Sequence, residues 1–211
     1  MSDPNPAPVI ERMETFYATH APFEADVAFE RFVKTHDTSK REKGKLVFER
    51  PGRYQLTFAN GDVVEADGGT LTIFDKAKGE AVRQSVSPDH VPAALAFAMT
   101  PRTIEKKLGL QRFDGIGLNA PGVDVILGTP QKANPSVSKL LFYVRPSGEV
   151  PRLVVIPPSG DRLQLDFTNV VPRATWPGSL QLPAGTTITN PPAPAPNAPP
   201  PVQSPFEAAI P

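Results

Sequence analysis

Histidines 20, 36 and 90 are the side chains best suited to proton transfer near neutral pH or to holding a transition metal. Their surroundings do not support either use. His20 falls at the end of a helical pattern, His36 in a charged stretch and His90 at the start of a second helical pattern. None has a neighbour at metal-ligand spacing such as H-E-x-x-H. The chain has no cysteine, so thiolate nucleophiles, Cys-ligated zinc and disulfides are excluded. No G-x-S-x-G elbow, phosphate-binding loop or dinucleotide fingerprint is present, and Gly115-Ile116-Gly117 is too short to serve as one. Glu24 and Asp26 form a carboxylate pair, but they alternate with apolar residues and read as the wet face of a strand. The expectation is a protein that is not an enzyme, with no catalytic residues, no metal and no cofactor.

Arg50 is the odd side chain. In the stretch 45–50, Leu46 and Phe48 share one face by alternation, and Arg50 has their parity. A guanidinium directed at an apolar face resists desolvation. Either it snorkels out at the sheet edge, or its fork of donors bonds backbone carbonyls of a covering helix and latches it.

The elements that must position these residues follow from periodicity. Val9, Ile10, Met13, Phe16 and Tyr17 recur at helical spacing, and Pro22 ends that helix. From Phe23 the period becomes two: Phe23, Ala25, Val27 and Phe29 alternate with Glu24, Asp26, Ala28 and Glu30. Residues 36–43 read as a charged turn. Residues 45–50 and 53–58 form a hairpin about Pro51-Gly52, and Asn60-Gly61 marks the next turn. Strands over 63–64, 71–74 and 81–86 continue a meander. Residues 91–99 are apolar on nearly every side and predict a short helix, followed by a helical turn over 103–108. That helix is either ordinary core or a mobile lid. Strands return at 123–127, 139–145, 153–156 and 162–167, with a last strand-like piece at 179–182. The lysines plus arginines equal the acids at 22 each, which excludes the basic excess of a nucleic-acid binder. Many of the 27 prolines lie beyond Asn190, in a segment too poor in apolar side chains to fold. The expected organisation is a disordered N-terminus over 1–8, one domain over 9–188 and a Pro/Ala-rich disordered tail over 189–211. The expected fold is mainly β: a curved antiparallel sheet whose apolar helices cover an apolar interior.

The stretch Gly44-Lys45-Leu46-Val47-Phe48-Glu49-Arg50-Pro51-Gly52-Arg53-Tyr54 resembles the G-x-L-x-x-x-R-P-x-x-aromatic hairpin of the LolA family, periplasmic carriers of outer-membrane lipoproteins. Val64-Glu65-Ala66-Asp67-Gly68-Gly69-Thr70-Leu71, with Phe74 after it, is similar to that family's V-x-D-G-x-x-L segment. The leading helix into His20-Ala21-Pro22-Phe23 and the placement of residues 88–99 also match in order, so the resemblance covers about residues 9–188. Ala25 stands where the family often has Gln, and the Pro-rich tail is not part of its pattern.

The resemblance implies an incomplete β-barrel with a helical lid, binding lipoprotein acyl chains in its interior. It implies that Arg50 latches the lid. It places Phe23, Phe29, Leu46, Phe48, Tyr54, Leu71, Leu95 and Met99 around the cavity. The implied partners are an inner-membrane ABC transporter of the LolCDE kind and an outer-membrane acceptor of the LolB kind. The protein is expected to be a periplasmic monomer without nucleic-acid partners, although the start Met-Ser-Asp-Pro-Asn-Pro lacks the basic and apolar regions of a signal peptide. The alternative is a lipid- or lipoprotein-sensing module on the same fold, signalling through a protein partner that the tail could dock.

Overall fold

The structure, a computed structural model, describes residues 5–86, 92–98, 101–134 and 136–190. The chain starts with helix α1 (Ala7–His20) and runs into strands β1 (Phe23–Val33), β2 (Thr38–Arg50), β3 (Arg53–Phe58), β4 (Val63–Asp67), β5 (Thr70–Asp75) and β6 (Glu80–Ser85). A 3-10 segment (Ala93–Ala98) and helix α2 (Pro101–Lys107) interrupt the strands. The chain then forms β7 (Leu108–Asp114), β8 (Asp124–Pro130), β9 (Lys139–Val144), β10 (Arg152–Ile156), β11 (Arg162–Pro172) and β12 (Thr187–Thr189).

The strands make one open, curved sheet of 12, in the order β12-β6-β5-β4-β3-β2-β1-β11-β10-β9-β8-β7. Each half of the sheet is a meander, and the β1–β11 pairing joins them. Every pairing is antiparallel except that of β12 with β6. The mainly-β expectation therefore holds.

Cross-strand rows explain why one face became the core. Register aligns Phe23 with Phe48, Phe48 with Tyr54, Tyr54 with Ala66 and Ala66 with Leu71. A second row runs from Phe29 through Leu165, Leu153 and Phe142 to Ile126. Because side chains alternate along a strand, aligning one apolar residue per strand aligns the whole face. Helix α1 covers this inner face with Val9, Ile10, Met13 and Tyr17, all buried. It begins at Ala7, ahead of the apolar pattern, because Pro8 in the first turn needs no intrahelical N–H partner.

Four elements differ from the sequence reading. Residues 38–43 are not a turn but the first half of β2, paired with β1 out to Val33. Their side chains are mostly exposed, so charge had disguised a long hairpin arm. Strand β7 had no alternation to reveal it, since Gly109, Gln111 and Arg112 dilute its apolar residues. Residues 91–99 predicted a regular helix; the described part is 3-10, with Leu95 off helical geometry at φ −118°, ψ 19°. Residues 179–182 are not a strand, and the last strand is β12, farther on. The tail from 191 lies outside the described residues.

Between β11 and β12 the chain forms a strap over the outer face. Arg173 donates to Glu24 on β1, and the Arg53 guanidinium on β3 stacks on Trp176 at 5.2 Å from the ring centre. Ser179 donates to Asp67, and the Leu180 N–H donates to both carboxylate oxygens of Glu65 on β4, at 2.9 and 2.8 Å. Leu180 and Leu182 pack on Val63, Phe74 and Ala81, a second small core. This is why β4 is buried at Val63, Val64, Glu65 and Ala66 in succession: both its faces are covered.

Glu65 is 4% exposed, and burial raises its carboxyl above the ordinary range, opposed by the Leu180 N–H and the Gln55 amide. Asp67 adds to the rise and Arg53 works against it. A folded-state pKa above the unfolded one means that the folded protein binds the proton more tightly. This group's contribution to stability is therefore complete below the ordinary Glu range and is lost as pH rises through the raised value. Glu65→Gln keeps an acceptor for Leu180 without a buried charge. Its Tm relative to the parent protein should be most favourable at neutral pH, and that advantage should shrink as pH falls towards 4. A Tm difference that does not change with pH would show that Glu65 carries no such penalty.

Candidate functional site

The inner face and its cover form the candidate site. Phe23, Phe29, Leu46, Phe48, Tyr54, Leu71 and Leu95 all fall in one buried cluster, each no more than 3% exposed. The structure thus brings together seven of the eight residues expected around the cavity. Met99 lies outside the described residues.

The sequence reading missed the residue at the centre of the cover. Phe97 is 1% exposed, and its ring sits 4.8 Å from that of Tyr17 on α1 and 4.9 Å from that of Phe167 on β11. Tyr17 in turn packs at 5.4 Å on Phe23, and Phe23 at 5.5 Å on Phe48. A continuous aromatic run therefore links the cover to the resemblance hairpin. The signal was available: Phe97 is the single aromatic residue in 91–99. A lone large ring among alanines is what a shallow segment needs to anchor on a sheet.

Helix α1 is also pinned by polar contacts at two positions. The Val150 N–H donates to the Tyr17 hydroxyl at 3.1 Å, in a buried setting. Burial holds the Tyr17 phenol well above its ordinary range, so the hydroxyl stays neutral. Arg12 bonds Asp124 at 2.7 Å, and Asp124 also accepts from Arg112 at 2.7 Å, tying the helix to β7 and β8.

Of the two placements open to Arg50, the described residues show the exposed one. A β-bulge between Phe48 and Arg50 shifts the register against β3. Such an irregularity locally disrupts the ladder at the end of β2. The Arg50 side chain is 58% exposed, with Glu49 at 3.7 Å. Arg50 contacts solvent and Glu49, and the residues on either side of the 3-10 segment, to which a latch would reach, lie outside the described residues.

The polar chemistry around the core is sparse. Glu65 and Thr72 are the buried polar side chains among the described residues, and both lie in the row beneath the strap. Among the described residues no group of three His, Asp or Glu side chains could hold a metal ion. No described helix is long and apolar enough to cross a membrane. What this arrangement can do is trade one apolar surface for another.

No protein-family model matches the chain, and no curated protein matches it. Solved structures do. An uncharacterized conserved protein from Thermus thermophilus is 11% identical, with 87% of this chain and 98% of that one covered and a TM-score of 0.55. A LolA superfamily protein from Nitrosomonas europaea is 12% identical over 82% of this chain and 96% of its own, with a TM-score of 0.46. The Mycobacterium tuberculosis lipoprotein LppX is 11% identical over 81% and 99%, with a TM-score of 0.41. The chain shares the fold of the Thermus protein, and its open curved sheet with few helices is an incomplete barrel, as expected.

Proposed function

We propose that the protein is a carrier that binds lipoprotein acyl chains on its inner face and moves them through the periplasm, from the inner to the outer membrane. The observation that supports this most directly is the character of the cover. A broad aromatic and aliphatic face is closed by a segment of alanines with one leucine and one phenylalanine, bent at Leu95. Alanines bury little area each, so the segment is held mainly by Leu95 and Phe97. An acyl chain offers the same apolar contacts and contributes about 0.8 kcal/mol per buried CH₂. A few such groups offset the loss of the cover, and release follows when the cover closes again.

In this reading cargo arrives from an inner-membrane ABC transporter and leaves to an outer-membrane acceptor, and the protein itself performs no chemistry. The test is to express the full chain with an export signal in a Gram-negative periplasm, purify it without detergent and analyse the bound material by mass spectrometry. Diacyl or triacyl peptides, or lipids, are the expected result. A protein that stays empty there and also fails to take up a fluorescent fatty acid would end the proposal.

A further inference from the structure

Two open clefts of ligand size flank the core, and their charges separate them. One, of about 640 Å³, is lined by Arg41, Lys43 and Arg152 but also by Glu30, Glu42 and Asp166. Arg41 pairs with Glu30 at 3.3 Å and Arg152 with Asp166 at 2.5 Å, so that cleft neutralises itself. The other, of about 480 Å³, opens between the 3-10 segment, α2 and the ends of β7–β9. Both volumes lie in the usual range for small-molecule sites.

The floor of the second cleft is Ala96, Leu108, Val137 and Leu140, all members of the main core cluster. Its rim carries Lys106, Lys107 and Lys132, and no carboxylate is among its described lining residues. Among the described residues, lysine ion pairs are made by Lys40, Lys45 and Lys78, not by these three. Lys106 and Lys107 occupy the last turn of α2, where cations favour the helix dipole. That reason does not reach Lys132, which comes from the β8–β9 connection.

The rim is also held in place. The Gln131 N–H donates to the Lys107 carbonyl at 2.9 Å, and the Gln131 side-chain amide to the Glu105 carbonyl at 2.9 Å. These bonds bring Lys132 to the helix that carries the other two cations. The Glu105 side chain is exposed on α2, and Asn134 spends its side-chain oxygen on the Ser136 and Val137 N–H groups. Three lysines thus share the lining of one cleft with an apolar floor, in a chain whose formal net charge is zero.

From this geometry we infer that the cleft seats a phosphate-bearing lipid, with its headgroup among Lys106, Lys107 and Lys132 and an acyl chain passing along Leu108, Val137 and Leu140 towards the inner face. The inference rests on the acyl-binding reading of the core and adds headgroup selectivity to it. Flexible lysines suit this use because they follow a mobile phosphate as point charges. Their attraction is screened by salt, so the selectivity weakens as ionic strength rises.

The test compares two probes with one identical acyl chain, lysophosphatidylglycerol and lysophosphatidylcholine, below their micelle-forming concentrations. Binding to the full chain is followed by displacement of a fluorescent fatty acid. The anionic probe should bind about tenfold more tightly at low salt. The triple variant K106Q/K107Q/K132Q should lose that preference and keep its affinity for lysophosphatidylcholine. These lysines are exposed, so the variant should fold, with at most a small drop in Tm from the lost helix-dipole contacts of Lys106 and Lys107. Equal binding of both probes by the parent protein would overturn the headgroup site and leave the carrier reading standing. A preference that survives in the triple variant would overturn it as well. Binding of neither probe would overturn both readings. Inorganic phosphate competing at the same concentration as the lipid would assign the lysines to free phosphate instead.

Discussion

Gly148→Ala should lower Tm by on the order of 10 °C and loosen α1 from the sheet, although the added group is one methyl. Gly148 has φ +94°, in the left-handed region, and closes the turn between β9 and β10. A Cβ there would stand 2.1 Å from the Arg12 carbonyl oxygen, 2.6 Å from its carbon and 3.1 Å from the Met13 nitrogen. The obstacle is helix backbone, which cannot rotate aside as a side-chain tip could. The turn must therefore retreat from α1 or the helix must lift. Either movement strains the buried bond from the Val150 N–H to the Tyr17 hydroxyl, two residues along. Left-handed geometry for a residue with a Cβ costs about 1–2 kcal/mol, and overpacking about 1–3 kcal/mol more.

Gly68→Ala supplies the control. Gly68 has φ +60° but nothing within 4 Å of an added Cβ, so it should show the backbone cost alone. Thermal melts of both variants, with hydrogen exchange of the α1 amides, separate the two contributions. Equal losses in the two variants, with α1 protection unchanged, would mean that the close approach of helix and turn is not what requires glycine at 148.

The inner face was legible in the sequence because a single alternating register runs through it. Phe23, Ala25, Val27 and Phe29 point inward as their spacing requires, and the hairpin partners Leu46 and Phe48 fall opposite them. The register shift near Arg50 was not legible, because it depends on how β2 meets β3, not on residue type. The long arms of the β1–β2 hairpin were hidden for a different reason. Thr38–Lys43 is mostly exposed along its length, so no apolar alternation marks it. The strap was hidden in yet another way. Glu65 carries a charge, which is the signature of a wet strand face, yet residues more than 100 positions later in the chain cover it. Local pattern reports what a strand would prefer; what covers the strand is a tertiary fact. The all-round apolar composition of residues 91–99 left open whether they are core or lid, and Leu95 and Met99 were the residues expected to line the cavity there, without Phe97. The ring of Phe97 declares its role only once Tyr17 and Phe167 are seen on either side.

That anchor leads to the second large effect. Phe97→Ala should lower stability and, in a carrier, raise affinity for an acyl ligand. The loss follows from removing a fully buried ring that packs between two others, about 3–5 kcal/mol for such truncations in cores. For an ordinary core residue nothing else would follow. If the cover must leave before an acyl chain can bind, however, Phe97 contributes to the closed state only. Weakening it makes opening easier by a similar amount, and each 1.4 kcal/mol is about a tenfold gain in apparent affinity. A tenfold or greater increase in fatty-acid affinity, alongside a Tm lower by about 10 °C, is the expected pair of results. Phe97→Leu should show the same two changes at smaller size, because it fills part of the space between Tyr17 and Phe167. The pairing is the informative feature, since damage to a fixed core lowers Tm and leaves ligand affinity flat or reduced. A destabilised variant whose fatty-acid affinity does not rise would remove the cover from the binding cycle and leave Phe97 as a structural ring. The magnitudes favour a decisive outcome: in a segment of four alanines Leu95 and Phe97 are the large buried side chains, so truncating Phe97 removes much of what would hold the cover on the inner face.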